Sequence, residues 1–348
     1  MQKLSGLEAA RTVSSPLERL RALEKAAPAV RDHLLQEGPV RALKVCPLVS
    51  LPYPTTYGFS GAALSPAPYL WIQNRLVIVQ YEAENGRRTL LFEASDTDRG
   101  SAAPFYKQRM ESFGPFLTDR VLSQRFATVP EALAKNGLSP DDVDELFFDH
   151  LHLQDLRGWL GDGERPGLFP RAKLLVHRKE WQTARAPHPL QAPWYVPNAQ
   201  DNVPKDRVVL LDGDVHLGKG LALVFTPGHT EGNMSLAVVT PRGLFVSSEN
   251  GIAADSWAPE HSAIAGVKRH ARAMGFAVVM NGNTRDGSAE QYTSMILERA
   301  LAGPSAMNPD FCNVLPSSEL VPWVLAPGLR PSFSHGDISF GTLRKREQ

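Results

Sequence analysis

The chain has 348 residues, with 37 Lys and Arg balanced by 37 Asp and Glu, 43% hydrophobic residues and two cysteines. That length can bury a large core, and a net charge of zero gives no electrostatic reason to expect nucleic acid or an anionic membrane as partner. Cys46 and Cys312 are too few for a disulfide framework and form no CxxC pair, no apolar stretch of signal-peptide length opens the chain, and no run nears the roughly 18 residues that span a bilayer, so a cytoplasmic setting is expected.

An amphipathic cover helix is predicted over residues 16–37, where Leu17, Leu20, Leu23, Ala27 and Val30 recur near helical spacing. Short apolar or β-rich runs follow at 42–46, 71–73, 76–81 and 89–92, with Asn85-Gly86 marking a hairpin between the last two. Helices are predicted at 104–113 and 130–136, the second closed by Gly137. Strands are predicted at 173–176, 208–211, 221–225, 236–239 and 244–246, and helices at 262–274 and 289–302. The stretch 186–206, rich in Pro, Gln, Asn and aromatics, reads as a long loop. Two β-rich halves with helices in each predict a layered α/β protein, with no linker separating independent domains.

Chemistry concentrates between Asp144 and Asp155. An apolar strand runs out into His150 and His152, whose i, i+2 spacing puts both imidazoles on one side of an extended backbone, within reach of one ion. Taken alone, the pair is as readily two surface histidines. Far downstream, His229 follows a strand in a turn tightened by Pro227 and Gly228; three such histidines make a catalytic-type metal site with one position open for water.

Four landmarks in order then resemble the metallo-β-lactamase fold superfamily. Residues 132–152 (ALAKNGLSPDDVDELFFDHLH) look like the approach to its HxHxDH motif, 169–181 (FPRAKLLVHRKEW) like the segment that follows, and 226–233 (TPGHTEGN) like its PGHTxG motif. The run 244–249 falls where that family has an apolar strand ending in Gly-Asp. The likeness covers roughly residues 76–302. It implies a four-layer αββα sandwich over residues 40–303, with an N-terminal helical extension (1–39) and a C-terminal extension (304–348) packed on the same domain.

The resemblance implies a first metal site of His150, His152 and His229 and an altered second one. Gln154 stands at the motif's Asp, Asp155 at its next His, Glu249 at the acid that bridges two metals, with Asn250 beside it, and Asn283 or Asn281 where the last His falls. Neutral amide oxygens are weak ligands, so a second ion would sit in an oxygen-rich set that favours Mn²⁺ or Fe²⁺; alternatively Asp155 is free of metal and acts as general base or orients water. His335 could replace the missing last ligand, although a loop histidine is more often structural, and His177, His188, His216, His261 and His270 are expected at the surface. Arg157, Trp159, Trp194 and Tyr195 are candidate pocket residues.

The activity implied is a metal-dependent hydrolase acting on an ester, lactone, thioester or related small substrate, with Asp155 and Glu249 in catalytic roles. Zinc, one or two ions, is the first cofactor expected, and iron or manganese the alternatives. Two other readings stay open: a mononuclear non-haem iron oxidoreductase, of which the persulfide dioxygenases are an example on this fold, and a degenerate binding protein without turnover. The expected partner is a small-molecule substrate, and a homodimer, common among related folds, stays open.

Overall fold

Strand alternation in two sheets, not helical packing, sorts the apolar side chains into layers. The structure, a computed structural model, describes residues 1–113 and 123–346. Its strands are β1 (Gln2–Lys3), β2 (Ala42–Pro54), β3 (Tyr69–Ala83), β4 (Gly86–Phe92), β5 (Gln124–Arg125), β6 (Glu145–Phe147), β7 (Lys173–His177), β8 (Val208–Leu211), β9 (Val215–Gly218), β10 (Leu221–Phe225), β11 (Met234–Thr240), β12 (Gly243–Ser247) and β13 (Ser318–Val321). The longer helices are α1 (Pro16–Glu37), α2 (Pro104–Phe113), α3 (Val129–Lys135), α4 (Arg178–Arg185), α5 (Val267–Met274) and α6 (Ser288–Ala302).

One sheet, ordered β1-β9-β10-β11-β12, is antiparallel throughout. The other, ordered β5-β2-β3-β4-β6-β7-β8, is antiparallel as far as β4 and parallel from β4 to β8. Along β10, Leu221 and Leu223 face the space between the sheets, where they meet Val77, Val79, Phe92 and Phe147, while Ala222 and Val224 face outward onto α1 and α6. The outer face of the larger sheet carries Leu76, Ile78, Leu146 and Leu174 against α3 and Trp159. Helix, sheet, sheet, helix is therefore the layer order. Helix α1 contributes Leu23, Ala27, Val30 and Leu34, one stripe of its 22 residues, and burying each leucine adds about 1.5–3 kcal/mol. No helix among the described residues is long and apolar enough to cross a membrane.

Three predicted elements are corrected by the structure. The runs 71–73 and 76–81 form one strand of 15 residues, because the polar Asn74 and Arg75 between them are paired from both sides. Val49 faces Asn74 from β2, Ser318 faces it from β13, and Arg75 forms a buried ion pair with Glu319. The helix predicted from 262 begins at Val267, since Gly266 sits at φ +92°, outside helical geometry. Strands β9 and β13 and helix α4 were not among the predicted elements. Strand β13 matters most, because it carries the C-terminal segment into the sheet beside the site.

Candidate metal centre

Strand β6 leaves the larger sheet at Phe148 and delivers His150 and His152, both buried. Leu153 supplies the bend that follows. It takes φ +63°, uncommon for a side-chain-bearing residue, and its N–H donates to the Trp194 carbonyl at 2.9 Å. Strand β10 delivers His229 through a turn in which Gly228 has φ +133° and lies so close to α6 that a Cβ would come within 2.0 Å of the Gln291 nitrogen. The three imidazoles meet with ring centroids 4.5 Å apart for His150–His152, 4.5 Å for His150–His229 and 5.2 Å for His152–His229. Among the described residues they are the one group of His, Cys, Asp or Glu, three or more in number, whose ligand atoms all lie within 4.8 Å of one another.

Hydrogen bonding fixes which nitrogens are free. His150 Nδ1–H donates to Asp149 Oδ1 at 2.5 Å, leaving the Nε2 lone pair. His152 Nε2–H donates to Gln191 Oε1 at 2.8 Å, leaving the Nδ1 lone pair. Both ring nitrogens of His229 are buried and lack a hydrogen-bond partner. Burial together with the charge of His150 pushes His152 and His229 well below the usual histidine range, so both stay neutral. Burial opposes a charged His150 too, but the Asp149 carboxylate lifts it to about 9, so its Nε2 lone pair is offered to a cation only by release of the Nε2 proton. Converging imidazole nitrogens, one ring wholly unpartnered and a carboxylate behind another, fit a bound cation.

A carboxylate from α4 braces the centre. Buried Glu180 accepts from the backbone N–H of Leu151, between the first two histidines, at 2.8 Å, from Thr230 Oγ1, next to the third, at 2.5 Å, and from Tyr195 O–H at 2.8 Å. Strand β13 and the residue just before it brace two further acids: Ser317 donates to Asp149 Oδ2 at 2.8 Å and Ser318 to Glu249 Oε2 at 3.2 Å. Burial pushes the Glu249 carboxyl up to about 7, against the charge of His150. Glu93, at φ +58°, accepts from the Asp149 backbone N–H at 2.9 Å, and burial pushes its carboxyl well above the ordinary range.

His150, His152 and Glu249 open on a cavity of about 490 Å³. Its walls are mainly apolar, with Val49, Leu51, Ile72, Phe105, Trp194 and Trp323, and the rings of Phe105 and Trp194 stack at 4.1 Å. Gln154 and Asn283 also line it, each with a side-chain carbonyl oxygen lacking a partner, while the Gln154 amide nitrogen donates to Ser95.

Most of the other predicted site residues lie away from the histidines. Asp155 is not brought to the histidines: Arg157 binds both of its oxygens and Arg99 approaches at 3.6 Å. Asn250 is buried on Glu298 at 2.6 Å, and Asn281 accepts from Tyr53 O–H at 2.7 Å. Trp159 belongs to the outer core beside Phe169. Tyr195 stands edge-on to His152 and bonds Glu180. His335 does not supply a ligand, because its Nε2–H donates to the Cys312 carbonyl and its ring packs against Phe245 and Phe333. His177, expected at the surface, is buried and stacked on Phe225. Gln191, Glu180, Glu93 and the two serines of the β13 edge escaped sequence reasoning, since no spacing marks residues that act from separate loops; Asp149, adjoining His150, was the one available signal.

No protein-family model matches the chain. Its curated relatives include the N-acyl homoserine lactonase of Bacillus cereus, 24% identical over 129 residues, covering 37% of this chain and 45% of the relative. Another is the N-acyl homoserine lactonase AttM of Azorhizobium caulinodans, 32% identical over 129 residues, covering 35% and 46%. The chain spans about half the length of the curated relatives it matches. Among solved structures, a probable metal-dependent hydrolase from Staphylococcus aureus superposes with a TM-score of 0.51 at 12% identity, over 73% of this chain and 82% of that one. AidC, a dizinc quorum-quenching lactonase in complex with a product, N-hexanoyl-L-homoserine, does so with a TM-score of 0.50 at 11% identity, over 89% and 99%. The chain has the αββα fold of the metallo-β-lactamase superfamily.

Proposed function

We propose that the protein is a metal-dependent hydrolase of lactones or esters that carry an apolar tail, working with one ion, zinc first among candidates, on His150, His152 and His229. The observation that carries this reading is the convergence of three buried imidazoles, two of which, His150 and His152, line a largely apolar cavity of about 490 Å³. Lactonase relatives support the substrate class, and imidazole nitrogens suit zinc. The names of these relatives lend nothing to an iron oxidoreductase or to a binder without turnover.

When bound, the ion supplies Lewis acidity toward a carbonyl oxygen and acidifies water. The chain supplies the rest. His150 Nε2 and His152 Nδ1 are the ligand atoms that hydrogen bonding leaves free. Glu249, anchored through Oε2 by Ser318, has Oε1 to take up and return a proton. The partnerless oxygens of Gln154 and Asn283 accept from donors on the substrate, and the Phe105–Trp194 wall covers its apolar tail and excludes water. Asp155, neutralised by arginines, takes no part and holds no second ion.

Metal analysis of the purified protein, with hydrolysis of N-acyl homoserine lactones and carboxylic esters of graded tail length, tests this. One zinc per chain and turnover that rises with tail length are expected. Zinc-loaded protein that opens no lactone and cleaves no ester would sink the proposal.

A further inference from the structure

We infer that Gln191 is a positioning residue of this centre and that Asp286, at the protein surface, acts through it. Gln191 lies in the long loop between α4 and β8, is 2% exposed, and touches both ligand-bearing loops. Its amide nitrogen donates to the His229 carbonyl at 3.1 Å and to the two Asp286 oxygens at 3.0 and 3.2 Å, while its oxygen lies 2.8 Å from His152 Nε2.

The two ends of an amide are not interchangeable. The nitrogen only donates and the oxygen only accepts. The His229 carbonyl and the Asp286 carboxylate are both acceptors, so the nitrogen must face them. The oxygen must then face His152, which is obliged to carry its proton on Nε2 and to offer Nδ1 to the metal. Asp286 thereby dictates the tautomer of a ligand it does not touch. The same amide, with Thr284 Oγ1 at 2.8 Å, fixes the backbone of His229. Glutamate at position 191 would keep the acceptor for His152 but set a second carboxylate about 3 Å from Asp286, where like charges repel.

This inference rests on the metal-centre reading, and zinc affinity, measured by competition with a chelator, separates the two. Parent, Gln191→Ala, Gln191→Glu, Asp286→Asn and the corresponding double variants are compared, each with its metal-free thermal midpoint and its Co²⁺ absorption spectrum. Gln191→Ala is expected to weaken zinc binding by about 10–100-fold and to alter the Co²⁺ bands. Asp286→Asn weakens it less, and adds nothing in the Gln191→Ala background. Gln191→Glu weakens it and is rescued in part by Asp286→Asn, whose amide can donate to the new carboxylate. A parent that binds zinc, loses it in His229→Ala and keeps its affinity within about twofold in Gln191→Ala overturns this inference alone. Additive losses for Gln191→Ala and Asp286→Asn overturn the route through Gln191. A parent that binds no zinc overturns both readings, and if Gln191→Ala does not fold, Asp286→Asn and the charge-swapped pair still decide.

Discussion

Arg157 grips Asp155 through both carboxylate oxygens at 2.8 Å, and its own backbone N–H adds a third bond at 3.1 Å. Burial alone would raise Asp155, but these bonds hold it below the ordinary carboxylate range. A carboxylate so engaged is a structural anion. Asp155→Asn should therefore leave metal content at one ion per chain and turnover within about threefold. It should cost stability on the order of 1–3 kcal/mol, as loss of a charged hydrogen-bond network does. Metal analysis and denaturant unfolding check this, and loss of metal in the variant would return Asp155 to the centre.

The histidines carry the opposite expectation. His152→Ala or His229→Ala should lower zinc affinity and turnover by well over about 100-fold, the scale reached by residues that only support ligands. The thermal midpoint of the metal-free protein should change far less than the midpoint of the loaded one. Unchanged turnover in His152→Ala would remove the site assignment.

Trp194 stacks on Phe105 along the cavity wall, so Trp194→Ala should act on substrate tails and not on chemistry. Removing one aromatic wall forfeits about 1.4 kcal/mol or more of apolar contact, hence about tenfold or more in kcat/KM for a long-tailed lactone. A short-tailed one should change little. Equal losses across tail lengths would argue that Trp194 only holds the loop.

The layers and the three converging histidines were legible in the sequence because both follow from local rules. Period-2 patterns in residues 221–225 and 236–239 fix which side chains face the helices, and a His-x-His at a strand exit is self-contained. The bracing was not legible. Glu180 on α4 reaches Leu151 and Thr230, and Gln191 reaches His152 and Asp286, through contacts between loops that no spacing encodes. Asp155 misled for the same reason: its motif position suggested metal, but the deciding neighbours are Arg157 and Arg99.

Arg75 and Glu319 form an ion pair with both side chains under 10% exposed, and burial pulls the Arg75 guanidinium down to about 10. Glu319→Ala leaves that cation without a partner and should destabilise the fold by about 3–5 kcal/mol in chemical denaturation. Arg75→Met paired with Glu319→Leu should recover most of that loss, because the apolar pair needs no solvation. Failure of the double variant to recover would mean that β13 depends on the charges themselves.

His177 and His335 are each held at about 4 by burial, below the roughly 6.5 of an unfolded histidine. As pH falls the unfolded chain takes these protons first. Their contribution to stability is therefore complete above about pH 6.5 and is lost toward pH 4, on the order of 1–3 kcal/mol for each. His335→Phe, which suits the aromatic pocket of Phe245 and Phe333, should flatten the acid side of the stability curve of the metal-free protein. An unchanged slope would show that His335 does not titrate in this window.

Strand β13 joins the sheet through Trp71 to Asn74, and Ser317 just before it and Ser318 at its start hold Asp149 and Glu249. On a ribosome, every histidine of the centre is made long before those serines emerge. Until residues 317–321 emerge and dock, Asp149 lacks its second bond, Glu249 lacks its anchor and Arg75 has no counter-charge. The acids around the histidines therefore reach their final bonding only with the last-made strand of the sheet.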